Sequence, residues 1–290
     1  MIPLTLNNFT FHWGSQTYVM GILNVTPDSF SGDGLIQGDD WLARVVAQGR
    51  QFVAEGAHIL DVGGESTRPG AEAVSMAEEL SRVLPAIRAL AAELDVPISV
   101  DTYKAEVAAA ALDAGAVMVN DVWGLRMDPD MATLCAERHA PVIVMHNRSR
   151  PRDVIQEARL GGMYIGSNYD DLLADVAAEL GESVALGRAA GIPAKHIIID
   201  PGIGFGKTVE HNLTLINRLD YFRALGHPIL LGPSNKSFIG YTLDLPPDDR
   251  MEGTAAAIAI GVARGADIVR VHQVKQMARI AKMADAIVRT

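Results

Sequence analysis

The fold this sequence predicts is α/β: a (β/α)8 TIM barrel in a single domain, preceded by a short β-hairpin. Three observations lead there. Eight short runs are apolar throughout, helical stretches separate them, and many of those stretches end in a glycine just before the next run. The runs cover residues 18–23, 58–62, 98–100, 116–119, 141–145, 196–199, 228–231 and 267–271. They are rich in Val and Ile and do not alternate with polar residues, as expected of parallel strands covered on both faces. Eight strand–helix units at this spacing favour a closed barrel over an open doubly wound sheet.

Taken in order, the chain begins with LTLNNFTFHWGSQTY, which reads as a hairpin able to plug the lower end of the barrel. Residues 1–17 are assigned to that hairpin and residues 18–290 to the barrel. Helices are expected over residues 41–55, 76–94, 105–114, 169–190 and 253–264, where Ala, Leu, Arg and Glu dominate. Gly56, Gly115, Gly191 and Gly265 supply the left-handed stop that a helix needs before an αβ turn. No Pro/Ser-rich linker interrupts the pattern, and 290 residues is an ordinary length for one barrel.

Composition narrows the possibilities. Apolar residues make up 49% of the chain and charged residues 21%, values suited to a large packed interior. The formal net charge is −10 with no basic run, so nucleic acid is not an expected partner. Cys135 is the only cysteine, which excludes an internal disulfide and a cysteine zinc cluster and suits a reducing cytoplasm. Neither a secretory signal nor a membrane span is visible, so a cytoplasmic protein is expected.

In such a barrel the chemistry sits at the C-terminal ends of the strands. Those ends carry Asn24, Asp61, Asp101, Asn120 with Asp121, His146, Asp200, Ser234 with Lys236, and Arg270 with His272. Any one of them could serve as a helix cap, but capping does not account for polar residues set inside apolar runs. Two long Gly-rich loops, NVTPDSFSGDG and DVGGESTRPGA, are candidate lids, the second carrying Arg68. DPGIGFGK fits neither common phosphate-loop pattern. Its glycines are expected to let backbone approach a flat ligand, with Phe205 as a stacking surface or as ordinary packing. Asp101 and Asp200 are placed to accept paired hydrogen bonds from the edge of a 2-amino-4-oxo pyrimidine ring. Arg270 and His272 share one side of the last strand, which suits an oxyanion or, equally simply, a salt bridge beside a core histidine.

These segments together resemble the dihydropteroate synthase family. The match runs over residues 19–274 through MGILNVTPDSFSGDG, DVGGESTRPGA, SVDTYKAEV, VNDVWGL, VMH, IIDPGIGFGK, GPSNKSFIG and RVH, in the family's order. The resemblance implies a folate-pathway transferase that joins 6-hydroxymethyl-7,8-dihydropterin pyrophosphate to 4-aminobenzoate and is open to sulfonamides. It implies that Asp101, Asn120, Asp200 and Lys236 hold the pterin, with Met145 against the ring. It places Asn24 on Mg²⁺ beside the pyrophosphate, with Arg270 and His272 on that anion. Thr67, Arg68, Phe205 and Ser237 would lie near the aminobenzoate or the leaving group. Asn24, Thr67, Arg68, Asp101, Lys236 and His272 are the expected catalytic set, and the family suggests a homodimer.

Three departures stand out. Asn235 replaces the Arg usual before the lysine, Gln273 replaces the Asp usual after the histidine, and NRSRPRD follows His146 in place of the usual segment. Asn235 and Gln273 motivate the alternative of a catalytically weak paralogue that binds a pterin or regulates without turnover. A corrinoid-dependent methyltransferase would share the pterin ligands but not both loop signatures.

Overall fold

All eight apolar runs form strands of one parallel barrel: β3 (Tyr18–Asn24), β4 (Ile59–Gly63), β5 (Ile98–Asp101), β6 (Met118–Asp121), β7 (Val142–Met145), β10 (Ile197–Asp200), β11 (Leu230–Leu231) and β12 (Ile268–Val271). The structure is a computed structural model that describes residues 1–27, 34–36, 38–66, 70–71, 73–150 and 153–289. Around the barrel each strand pairs with the next in chain order, and β12 pairs back onto β3. The circle closes between β10 and β11, where Ile199 bridges Ile229.

The helices follow the signals in the sequence. α1 (Trp41–Glu55) stops at Gly56 and α3 (Ala105–Ala114) at Gly115, both left-handed. α2 (Met76–Glu93) starts where the Ser75 side chain accepts the Glu78 N–H. α5 (Leu172–Ala189) begins three residues inside the expected stretch, because the Asp171 carboxylate caps Leu173 and Ala174. α8 spans Met251–Ala263. Four helices absent from the sequence reading complete the coat: α4 (Met131–Glu137), α6 (Val209–Asn217), α7 (Ser237–Leu243) and α9 (Val274–Val288). Also absent from it is an antiparallel hairpin on the loop after β7, β8 (Val154–Glu157) with β9 (Gly161–Tyr164).

Strand side chains alternate between the helix-covered outer face and the barrel interior. The outward set, including Val19, Leu60, Val100, Val119, Val144, Ile199 and Val269, packs against the helices in one continuous apolar shell. The inward set changes character along the barrel axis. At the N-terminal ends of the strands, Met20, Ile59, Met118, Ile143, Ile198, Leu230 and Ile268 meet Leu4, Leu6 and Phe11 of the N-terminal hairpin, β1 (Leu4–Leu6) with β2 (Phe9–Phe11). The expected plug is therefore present. Phe11 is fully buried, with the rings of Phe9, Trp13 and Tyr18 centred 4.8, 5.2 and 4.8 Å away. Beneath it the two ends of the chain are stitched together: Thr17 donates to Asp285 from its backbone N–H (2.6 Å) and its hydroxyl (2.8 Å), and Arg289 donates to the Gly14 carbonyl (2.9 Å).

Candidate active site

Above the plug the interior turns polar, because the next inward positions are Asp61 on β4, Ser99 and Asp101 on β5, Asn120 on β6, Asp200 on β10 and Arg270 on β12. Arg270 is the hub. Its Nε donates to Asp61 Oδ2 and its Nη2 to Asp101 Oδ2, both at 2.6 Å. Asp61, wholly buried, also accepts from Ser99 Oγ (2.5 Å) and Asn120 Nδ2 (3.0 Å). A buried carboxylate is tolerable only with such a full set of partners.

One cavity opens above this layer, lined by Asp101, Asn120, Val122, Met145, Asp200, Ile203, Phe205, Gly232, Lys236 and Arg270. The structure thus brings seven of the expected substrate-binding residues to one place. Lys236 Nζ sits 4.1 Å from the centre of the Phe205 ring, a cation–π contact. Asp200 Oδ1 accepts the Gly202 N–H at 2.7 Å. Burial pushes the Asp101 carboxyl up to about 7, against the pull of Arg270 and with help from the Asp61 and Glu79 charges. Burial likewise raises Asp200 to about 6, opposed by the Gly202 N–H and by Lys236, Lys207 and Arg270. Two under-solvated carboxyl groups facing one slot favour a ligand whose edge is rich in N–H donors.

The other expected site residues fall around the rim. Asn24 ends β3, and His272 follows the adjacent strand β12. Ser234 Oγ lies 2.9 Å from His272 Nδ1 and accepts the His272 backbone N–H at 3.2 Å. That double contact orients the imidazole through Ser234, so the change to Gln273 does not leave it without a guide. Ser237 opens α7 next to Lys236. Thr67 and Arg68, with most of the tip of the first loop, lie outside the described residues. Of the two readings left open for the last strand, the ion pairs with Asp61 and Asp101 engage Arg270 as a salt-bridge partner.

Asn235 has a structural explanation. Its φ is +54°, a left-handed conformation that Asn tolerates better than most residues. Its N–H donates to Thr254 Oγ1 (3.1 Å), and its carbonyl accepts from Arg250 Nη1 (3.0 Å), so the turn that delivers Lys236 is held through the backbone. Arg250, only 3% exposed, also reaches the Leu160 carbonyl in the β8–β9 turn with Nη2 at 2.7 Å. Tyr164 at the end of that hairpin stacks on Phe205, with ring centres 6.2 Å apart. The hairpin that follows His146 therefore supports Phe205, a wall of the site, from behind.

One expectation needs revision, and two of the strand-end polar residues take structural roles. Gly202 and Gly206, at φ +71° and +67°, serve backbone packing: a Cβ would come within 1.9 Å of the His146 carbonyl and 2.5 Å of the Arg148 backbone. Gly204 alone among the three faces Lys236. Asp121 turns outward and caps the Trp123 and Leu125 N–H groups at 2.8 and 2.7 Å, the simple capping role. His146 is also outward and buried, with Nδ1 2.9 Å from Lys207 Nζ. Asp61, conversely, a polar residue inside an apolar run to which the sequence assigns no role, anchors Arg270 and Asn120 beneath the cavity.

Residues 20–272 match the model of the pterin binding enzyme family. The chain belongs to the pterin-binding enzyme family. Within it, the chain is similar to the dihydropteroate synthase of Bacillus subtilis, at 52% identity over 94% of this chain and 89% of that one. Pterin-binding enzymes of known structure superpose closely. A Clostridium difficile dihydropteroate synthase crystallised in the presence of pteroic acid has a TM-score of 0.87 and 45% identity, covering 97% of this chain and all of that one (100%). A Xanthomonas albilineans dihydropteroate synthase with 4-aminobenzoic acid has a TM-score of 0.83 and 40% identity, covering 94% of each chain.

Proposed function

We propose that this chain is a dihydropteroate synthase, condensing 6-hydroxymethyl-7,8-dihydropterin pyrophosphate with 4-aminobenzoate to give 7,8-dihydropteroate and pyrophosphate. The observation that carries the reading is the convergence of Asp101, Asn120, Asp200, Phe205 and Lys236 on one cavity at the C-terminal mouth of the barrel. The flat pterin enters edge-on, its N–H groups directed at the two carboxyl groups and its face against Met145. This orientation leaves the hydroxymethyl carbon toward the rim. There the C–O bond breaks with its electron pair leaving on pyrophosphate, the aromatic amine forms the new C–N bond, and the amine's surplus proton passes to solvent. Carboxylates beside the ring stabilise the positive character of the carbon as it is released.

Asn24 and His272, at the ends of adjacent strands, are assigned to the leaving group by the family resemblance. Among the described residues, no group of three His, Cys, Asp or Glu side chains could hold a metal. A single Asn oxygen suits a Mg²⁺ ion that takes its other ligands from phosphate and water, and Mg²⁺ would neutralise the departing charge. Thr67 and Arg68 are assigned to the aminobenzoate or the leaving group by family resemblance. Sulfonamides, as mimics of 4-aminobenzoate, are expected inhibitors. A homodimer is consistent with the exposed apolar side chains of Met251 and Ile260 on α8 and of Met283 and Ile287 on α9. Among the described residues no helix is long and apolar enough to cross a membrane, and we assign the chain to the cytoplasm.

A coupled assay for pyrophosphate release tests this directly. Release should require both 4-aminobenzoate and Mg²⁺ and should stop on adding EDTA or a sulfonamide. Release that ignores 4-aminobenzoate, or none where another synthase is active, would refute the assignment.

A further inference from the structure

Lys207 closes the Gly-rich turn after β10, yet it is absent from the lining of the cavity and only 1% exposed. Its Nζ donates to the Phe205 carbonyl (3.0 Å) and lies 2.9 Å from His146 Nδ1. Beyond the imidazole, His146 Nε2 is 3.3 Å from Glu179 Oε2 on α5, and Glu179 is held by Arg148 and Arg126. Burying an amine here is costly, and a Met of similar length would fill the space without that cost.

The turn that Lys207 pins is the one that shapes the cavity. It starts at Asp200, whose carbonyl accepts the His146 N–H at 2.9 Å, and it carries Phe205, on whose ring Lys236 rests. With Gly202, Gly204 and Gly206 all at positive φ, this backbone has unusual freedom in the unfolded chain. Among the described hydrogen bonds, the lysine amine is the side-chain donor that joins the end of the turn back to its middle and to the exit of β7.

We propose that Lys207 is a positioning residue for the transfer step: by clamping the Phe205 carbonyl against His146, it sets the Phe205 ring at the angle from which it receives the aminobenzoate. This rests on the synthase reading of the site. The clamp acts through Phe205, so its loss falls far more heavily on 4-aminobenzoate kinetics than on pterin binding, which feels it only through Lys236 on the same ring and the more distant charge on Asp200.

A double-mutant cycle on the full-length enzyme tests it. Wild-type turnover comes first; a wild-type chain that makes no dihydropteroate overturns the synthase reading itself. With activity in hand, Lys207→Met should raise KM for 4-aminobenzoate on the order of tenfold. The Kd for the pterin diphosphate should stay within about threefold. Phe205→Ala should raise the same KM, and adding Lys207→Met to it should change nothing more. Lys207→Gln, whose amide keeps a donor for the Phe205 carbonyl, should recover part of the loss, and it replaces the Met variant in the cycle if that variant does not fold. Additive effects in the double variant, an unchanged KM, or a parallel loss of pterin affinity would each overturn the proposal.

Discussion

Replacing Asp101 by Asn should stabilise the ligand-free protein at alkaline pH while weakening its hold on the pterin. The Asp101 side chain is 9% exposed, and burial raises its carboxyl from 3.8 to about 7 despite Arg270. Between those two pH values the folded chain holds a proton that the unfolded chain has released. Stability therefore falls as pH rises from about 4 to about 7 and is level above that. A rise of this size corresponds to a penalty on the order of 4 kcal/mol at pH 8. Asn removes the penalty and keeps an acceptor for Arg270 Nη2, but it gives up that ion pair, leaving Asp61 as the partner of the guanidinium. The net gain should be about 1–3 kcal/mol at pH 8; about 2–3 kcal/mol of the penalty is already relieved at pH 5, where the native carboxyl is protonated, so the gain should fall to about zero there. Urea unfolding followed by tryptophan fluorescence at both pH values measures the gain, and calorimetric titration with a pterin measures the functional cost. A variant less stable than wild type at pH 8, or one whose gain is the same at both pH values, would refute the assignment of Asp101 as a strained binding group.

Lys236→Ala should weaken pterin binding by roughly ten- to a hundredfold in calorimetry, since it removes the cation that faces Asp200 and rests on Phe205. Phe11→Ala should cost about 3–5 kcal/mol in urea unfolding while leaving KM values within about twofold, because the plug is separated from the mouth by the polar layer. At position 235, a Gly should be near neutral in thermal melting, whereas a Val should cost more than about 1 kcal/mol, as expected for a β-branched residue at φ +54°.

The fold was legible because its strands are apolar on both faces and its helices carry strong punctuation. Residues 105–114 followed by Gly115 were read to the residue, and Gly56 did the same for α1. β8 and β9 were not, since their half-exposed, mixed residues give no buried face to read. The candidate binding residues Asp101, Asn120, Asp200 and Arg270 could be named because each interrupts or ends an apolar run, whereas Thr67 and Ser237 were named only through the family resemblance. What could not be read was which side of each strand they take and whom they meet. Arg270 lies 209 positions from Asp61, and only the register of β12 on β3 and of β3 on β4 brings them together. The same limit hid Lys207. It closes a glycine-rich turn that fits no common phosphate-loop pattern, and the direction of its side chain, away from the cavity and toward His146, is set by left-handed φ values that no spacing reveals.

Thr17 and Gly14 near one end of the chain are joined to Asp285 and Arg289 near the other, on the face farthest from the substrate cavity. A label, a surface tether or a second catalytic module spliced to either end would hang from the base and leave substrate entry unobstructed. The same bonds tie the segment between the hairpin and β3 to α9, so loosening of one should be felt by the other.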